Sequence, residues 1–226
     1  MPLTMHADGL WSIPHSLRVR GLIPLGTRTT VARLPDNSLL LHSPGPLTKD
    51  EHAAISDLGD VSTIVSPNLE HILYIADAAQ QHPTAQLWVA PGCTATLPRE
   101  ARTLNETADA PWKGALTDIP VAGLPKLQES VFLHHSSRTL ILTDLAFNIL
   151  HVDGFWDRLV LQLAGACGRF GPSRLFRSYF LQDRGAFRGS IDALLELDFD
   201  RIIVAHGEVV EQGGREKLRE AFGFLR

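Results

Sequence analysis

The feature that most constrains this chain is a recurrence. Short apolar runs of strand length stop at polar or ionisable residues, and helical periodicity fills the gaps between them. Val61–Val65 runs into Ser66, Asn68, Glu70 and His71; Thr139–Thr143 runs into Asp144; Arg201–Ala205 runs into His206. Ser38–His42 likewise ends at His42 and Ser43. Short apolar runs alternating with helices predict a layered α/β architecture. In such folds ligand and catalytic groups gather beyond the carboxyl ends of strands, where loops converge on a rigid sheet.

The remaining pattern supports one domain over 1–226. A hairpin is predicted from Thr29–Leu34 and Ser38–His42 around Pro35-Asp36-Asn37. Thr48 and Glu51 form a capping-box pattern opening a helix to about Leu58, with Gly59 as its stop. Ile72, Ile75, Ala76 and Ala79 predict an amphipathic helix over 71–82, and Gln86–Ala90 a strand. Residues 91–125 are weakly patterned and read mostly as loop with short pieces. Val131–His135 and Thr139–Thr143 give a second hairpin, 153–185 looks helical, Ser190 is expected to cap a helix through Leu197, and a closing helix covers Gly214–Leu225.

Composition narrows the function classes. The 226 residues carry a net charge of −4 with 44% hydrophobic residues. Mixed charge of this size lacks the basic footprint of a nucleic-acid binder, so no nucleic-acid partner is expected. Apolar stretches are too short to span a bilayer, residues 1–30 show no secretory leader, and the two cysteines, Cys93 and Cys167, form no framework. The expectation is a cytoplasmic chain with no membrane association. Its partner is an unknown small-molecule substrate or ligand, and a homodimer through 91–125 or 153–185 is open.

Two imidazoles and two carboxylates at one sheet edge would suit Zn, Fe or Mn rather than Ca or Mg, which prefer oxygen shells. Each residue also has an ordinary reading: Asp144 as a helix N-cap, Glu70 at the positive end of helix 71–82, a lone His at the surface. Adjacent His134 and His135 point to opposite strand faces and cannot share a site. Ser43 and Ser66 lack the G-x-S-x-G elbow of a serine hydrolase, and Gly165–Gly168 lacks the Lys of a phosphate loop. The run from Arg169 to Arg188 reads as a solvated face, with an anionic substrate as the alternative. Phe155, Trp156 and Phe176 are expected in the core.

With these residues in place, the chain resembles the metallo-β-lactamase superfamily, in a degenerate, uncharacterised branch. That family is an αββα sandwich with a His-x-His-x-Asp-His motif, then a third His, a bridging Asp and a final His. Here Ser66 and Asn68 stand at the leading His positions, Glu70 at the Asp and His71 at the last His. Asp144 matches the bridging Asp and His206 the final His, while no His stands near Lys126–Glu129, where the third is due. The resemblance covers most of residues 20–210. It implies loss of every ligand exclusive to one metal site and retention of Glu70, His71, Asp144 and His206 for the other. At most one Zn, Fe or Mn per chain, or none, is therefore expected. Glu70 is one methylene longer than Asp and is expected as ligand or general base. The leading expectation is a mononuclear metal-dependent hydrolase of unknown substrate. The alternatives are a metal-free pseudoenzyme that binds a ligand or partner, and a mononuclear iron oxidoreductase.

Overall fold

The computed structural model describes residues 3–19, 21 and 23–226; Met1, Pro2, Arg20 and Leu22, in the stretch read for a leader, lie outside them. The first half builds a seven-stranded sheet. It runs through β1 (Thr4–Ala7), β2 (Leu10–His15), a small ribbon of β3 (Arg18–Val19) and β4 (Ile23–Pro24), then β5 (Thr27–Arg33) and β6 (Leu39–His42). Helix α1 (Lys49–Ser56), β7 (Val61–Ser66), α2 (Ile75–Gln81), β8 (Gln86–Val89) and β9 (Ala101–Thr103) follow. The strand order is β1-β2-β5-β6-β7-β8-β9, with β6 to β9 parallel. The second half builds a four-stranded sheet from β10 (Leu116–Pro120), β11 (Ser130–His134), β12 (Thr139–Leu142) and β13 (Arg201–Val204). Helices α3 (Phe155–Leu163) and α4 (Arg184–Leu195) link β12 to its parallel neighbour β13, and α5 (Gly214–Ala221) closes the fold.

Side-chain parity makes the layers. Leu39 and Leu41 face α1 and α2, where Ile55, Ile75, Ala78 and Ala79 meet them, while Leu40 faces the other sheet. In the second sheet, Leu140, Leu142, Ile202 and Val204 face α4 and α5, and Ile141, Ile203 and Phe132 point back between the sheets. Both faces of each central strand are thus buried, which is why these strands read as continuous apolar runs. Each fully buried Leu, Ile, Val or Phe contributes about 1.5–3 kcal/mol. A one-residue slip would exchange the two layers' side chains, so register is firmly set. The result is a helix–sheet–sheet–helix sandwich.

Both expected hairpins and the Thr48–Glu51 capping box are present. Three expectations are corrected. Helix α2 begins at Ile75 rather than 71, because residues 70 and 71 give their N–H groups to the Asn68 side chain and form a turn instead. Asp183, not Ser190, caps α4, accepting from the Ala186 N–H at 2.9 Å; Ser190 sits mid-helix and accepts from the Ala122 N–H at 2.9 Å. The 91–125 segment is mostly loop with the short strands β9 and β10, as expected. Phe176 is buried as expected, but Phe155 and Trp156 lie on the outside of α3.

Candidate metal centre

Parallel register delivers the site. Leu142 of β12 lies beside Val204 of β13, so Asp144 and His206, each two residues further on, emerge side by side. In the other sheet His42 lies beside Val65, and the Ser43 N–H continues the ladder to the Val65 carbonyl at 2.8 Å. The turn after β7 then carries His71 across the gap. Two backbone bonds join the sheets here, from Ser130 N–H to the Pro67 carbonyl and from Leu69 N–H to the Leu127 carbonyl, both 2.9 Å.

His71, Asp144 and His206 meet in one cluster. The two imidazole Nε2 atoms are 3.2 Å apart. Asp144 places Oδ2 3.3 Å from His71 Nε2 and Oδ1 3.3 Å from His206 Nε2. Each outer nitrogen has a partner. His206 Nδ1 is 2.8 Å from the Gly26 carbonyl, which can only accept, so Nδ1 carries a proton and, in the tautomer this fixes for a neutral ring, Nε2 offers a lone pair inward. His71 Nδ1 is 2.6 Å from Ser43 Oγ. The His206 ring also stacks on Phe147, with centroids 4.9 Å apart. Behind it Gly207 is required, since a Cβ at its φ of 104° would collide with the Asn148 carbonyl.

The electrostatics favour a cation. Burial alone would raise the Asp144 carboxyl, but His71 and His206 beside it reverse this and hold it well below the usual carboxylate range. It therefore brings a fixed negative charge to two imidazole nitrogens. A tetrahedral ion with bonds of about 2.0–2.1 Å needs ligand–ligand edges of roughly 3.3 Å, and the edges seen are 3.2 and 3.3 Å. The residues fit an ion of the Zn, Fe or Mn kind.

The other half of the cleft is built differently. Asn68, fully buried, accepts from the Glu70 and His71 N–H groups at 2.9 and 2.8 Å through Oδ1. Its Nδ2 donates to Asp144 Oδ2 at 2.8 Å and Thr143 Oγ1 at 3.0 Å, and lies 3.5 Å from Glu129 Oε2. Ser66 Oγ donates to the His71 carbonyl at 2.7 Å. The buried Glu129 carboxylate accepts from the Thr143 and Asp144 N–H groups at 2.9 and 3.1 Å. Burial and the Asp144 charge push Glu129 up to about 7. One side chain, Asn68, thus ties the His71 turn to the Asp144 strand.

Of the four residues singled out from the sequence, three converge. The Glu70 side chain is exposed, and its carboxylate is not part of the cluster. Buried His134 and exposed His135 take opposite faces, as expected. Sequence reasoning missed Glu129 and Phe147, and it placed Ser43 at a strand end without its His71 partner. Glu129 carried a usable signal, a lone carboxylate directly before an apolar strand in the stretch searched for a third His.

The sequence matches, over residues 8–153, the family described as a domain of unknown function, DUF4336; this span includes His71 and Asp144 but not His206. No curated protein matches the chain. Solved structures do. The metallo-β-lactamase FIM-1 from Pseudomonas aeruginosa in its mono-zinc form is 12% identical with a TM-score of 0.64, over 99% of this chain and 94% of that one. A metallo-β-lactamase from Pontibacter korlensis is 10% identical with a TM-score of 0.67, over 99% and 98%. One from Erythrobacter litoralis is 13% identical with a TM-score of 0.64, over 99% and 91%. Identities this low speak for the fold alone. The fold is metallo-β-lactamase-like, and the chain belongs to the DUF4336 family.

Proposed function

We propose that this protein is a mononuclear metal-dependent hydrolase, holding one Zn, Fe or Mn ion on His71, Asp144 and His206. The observation that carries the reading is the inward convergence of two imidazole Nε2 atoms and one ionised carboxylate, with the outer nitrogen of His206 already committed to a carbonyl. Three protein ligands with open positions are the pattern of a catalytic rather than a structural site. FIM-1 has a crystal structure in a mono-zinc form, so a single zinc on this fold has precedent in that protein. When bound, such an ion supplies Lewis acidity to a carbonyl or phosphoryl oxygen and lowers the pKa of water towards neutrality.

The chain's own residues do the rest. Ser43 and Gly26 orient the two rings, Asn68 holds Asp144 against them, and Phe147 shields one face of His206. Glu70 is assigned the role of proton acceptor from the attacking water. Its exposure at the head of the His71 turn suits a group that exchanges protons with solvent better than a ligand.

Elemental analysis of untagged protein purified without chelator, beside a His206→Ala variant, tests this. About one equivalent per chain, lost in the variant, is expected, followed by turnover of an ester, thioester or phosphodiester. Absence of metal after reconstitution would overturn it in favour of a metal-free binding module. One observation favours that second reading: protons alone can close the chain from Ser43 through His71 to His206, if Ser43 donates to Nδ1 and His71 Nε2–H donates onward.

A further inference from the structure

Helix α3 turns its apolar side outward. At 100° per residue, Phe155, Trp156, Leu159, Val160 and Leu163 fall within an arc of about 140°, and Leu161, the helix's buried residue, lies outside it. Phe155 and Trp156 are each 73% exposed and Leu163 64%. A helix on a globular surface normally buries such a stripe. Leu175 is exposed close by, next to Arg174, which donates its guanidinium to the Leu163 carbonyl at 3.0 Å and its N–H to the Ala164 carbonyl at 2.8 Å. The helix is nonetheless fixed in place. Leu161 packs with Phe147 and Ile149, and Asp157 pairs with Arg18.

We propose that this face is a homodimer interface, in which α3 of one copy lies against α3 of a second across a two-fold axis. Phe155 and Trp156 alone leave on the order of 300 Å² in water. The aliphatic members bring the face to roughly 600 Å², most of the ~800 Å² that each partner gives to a standard interface. A two-fold axis lets one apolar stripe cover another identical one, so no second surface has to be found. A lipid surface would instead call for free cations around the stripe. Arg158 of α3 is exposed beside the stripe, but the other nearby arginines, though exposed, are drawn onto groups of the same chain: Arg174 onto α3, Arg169 towards the Pro172 carbonyl, Arg177 over the Phe224 ring and Arg18 onto Asp157. A net charge of −4 points the same way.

The full chain is followed by light scattering on a sizing column from 1 to 50 µM, with tryptophan emission read in parallel. Trp11, Trp88 and Trp112 are buried, so the solvent-exposed part of the emission reports Trp156. Twice the chain mass, with a blue shift as concentration rises, is expected. Trp156→Glu and, independently, Leu163→Lys should weaken the dimer at least tenfold while leaving the urea midpoint of the monomer unchanged, since both side chains are mostly in water in the monomer. A monomer throughout, or a dimer indifferent to both variants, overturns the proposal. Co-sedimentation of a monomeric chain with phosphatidylglycerol vesicles would also overturn it and assign the stripe to a lipid surface.

Discussion

The two halves of the strand-end cleft hold the same kinds of residue to opposite ends. On one side His71, Asp144 and His206 turn nitrogen and oxygen atoms towards one another across 3.2–3.3 Å. On the other, Ser66, Asn68 and Glu129 spend their polar atoms on backbone groups and on Asp144. A buried donor or acceptor left without a partner costs about 1–3 kcal/mol, so both halves must be satisfied. The second half achieves this with neutral amides, a hydroxyl and a carboxylate. The first does so fully only with a cation or with bridging protons. A saturated network can therefore fill one half of the cleft, where it fixes the His71 turn and Asp144 opposite.

The strongest way to break that contrast is Glu129→Ala. It removes the acceptor of two backbone N–H groups, buried beneath Asp144. Stability should fall by about 3–5 kcal/mol in urea. Metal affinity should fall 10–100-fold, as supporting partners of ligands do. Asn68→Ala should behave similarly, freeing the N–H groups of Glu70 and His71. If either variant lost stability but kept its full metal affinity, the second half would be a strut with no bearing on the first.

How much of this was legible in the sequence follows from periodicity. Strands β6, β7, β12 and β13 could be read because burial on both faces made them continuous and apolar, and their carboxyl ends pointed to His71, Asp144 and His206. β2 was missed: Ser12 and Pro14 interrupt its apolar run. Phe155 and Trp156 were misplaced because a large aromatic signals burial by something, without saying whether that something is the same chain. The supporting roles of Glu129 and Asn68 were opaque for another reason. A ligand can be searched for by residue type, whereas a hydrogen-bonded support is defined by what it touches.

Acid offers a second, global probe. His42, at the end of β6, is buried with its ring edge-on to Phe132, and its Nε2 has no hydrogen-bond partner among the described residues. Burial, with a smaller contribution from His71, pulls its pKa down to about 3. The unfolded ring titrates near 6.5, so the stabilisation from keeping it neutral is complete above pH 6.5. It is lost as pH falls towards 3, amounting to up to about 4 kcal/mol. His42→Leu should flatten this acid limb of apo-protein stability while leaving metal content unchanged. A limb that persists in the variant would assign acid sensitivity to other groups.

Ser43 separates the metal-bound from the proton-closed cluster more finely. It is buried with φ of 54°, a region costly for a non-glycine residue, and it reaches His71 Nδ1 at 2.6 Å. Ser43→Ala should cost about 1 kcal/mol of stability and on the order of tenfold in metal affinity, by releasing the His71 ring. Ser43→Gly removes the same hydroxyl but relieves the backbone, so its stability loss should be smaller and its affinity loss the same. Equal stability losses would mean that the strain is not felt.

Glu70 should give the smallest stability effect and the sharpest division of roles. As an exposed side chain outside the ligand cluster, Glu70→Gln should change stability by less than about 0.5 kcal/mol and leave metal content at one equivalent. Its backbone N–H still reaches Asn68, so the turn carrying His71 is kept. With a hydrolysable substrate in hand, the variant should lose about 10²–10⁴-fold in kcat if Glu70 takes the proton of the attacking water, with binding unchanged. Loss of the metal on this substitution would instead make Glu70 a fourth ligand, and the half-cleft opposite Glu129 would then be a four-residue cage in place of an open three-residue site.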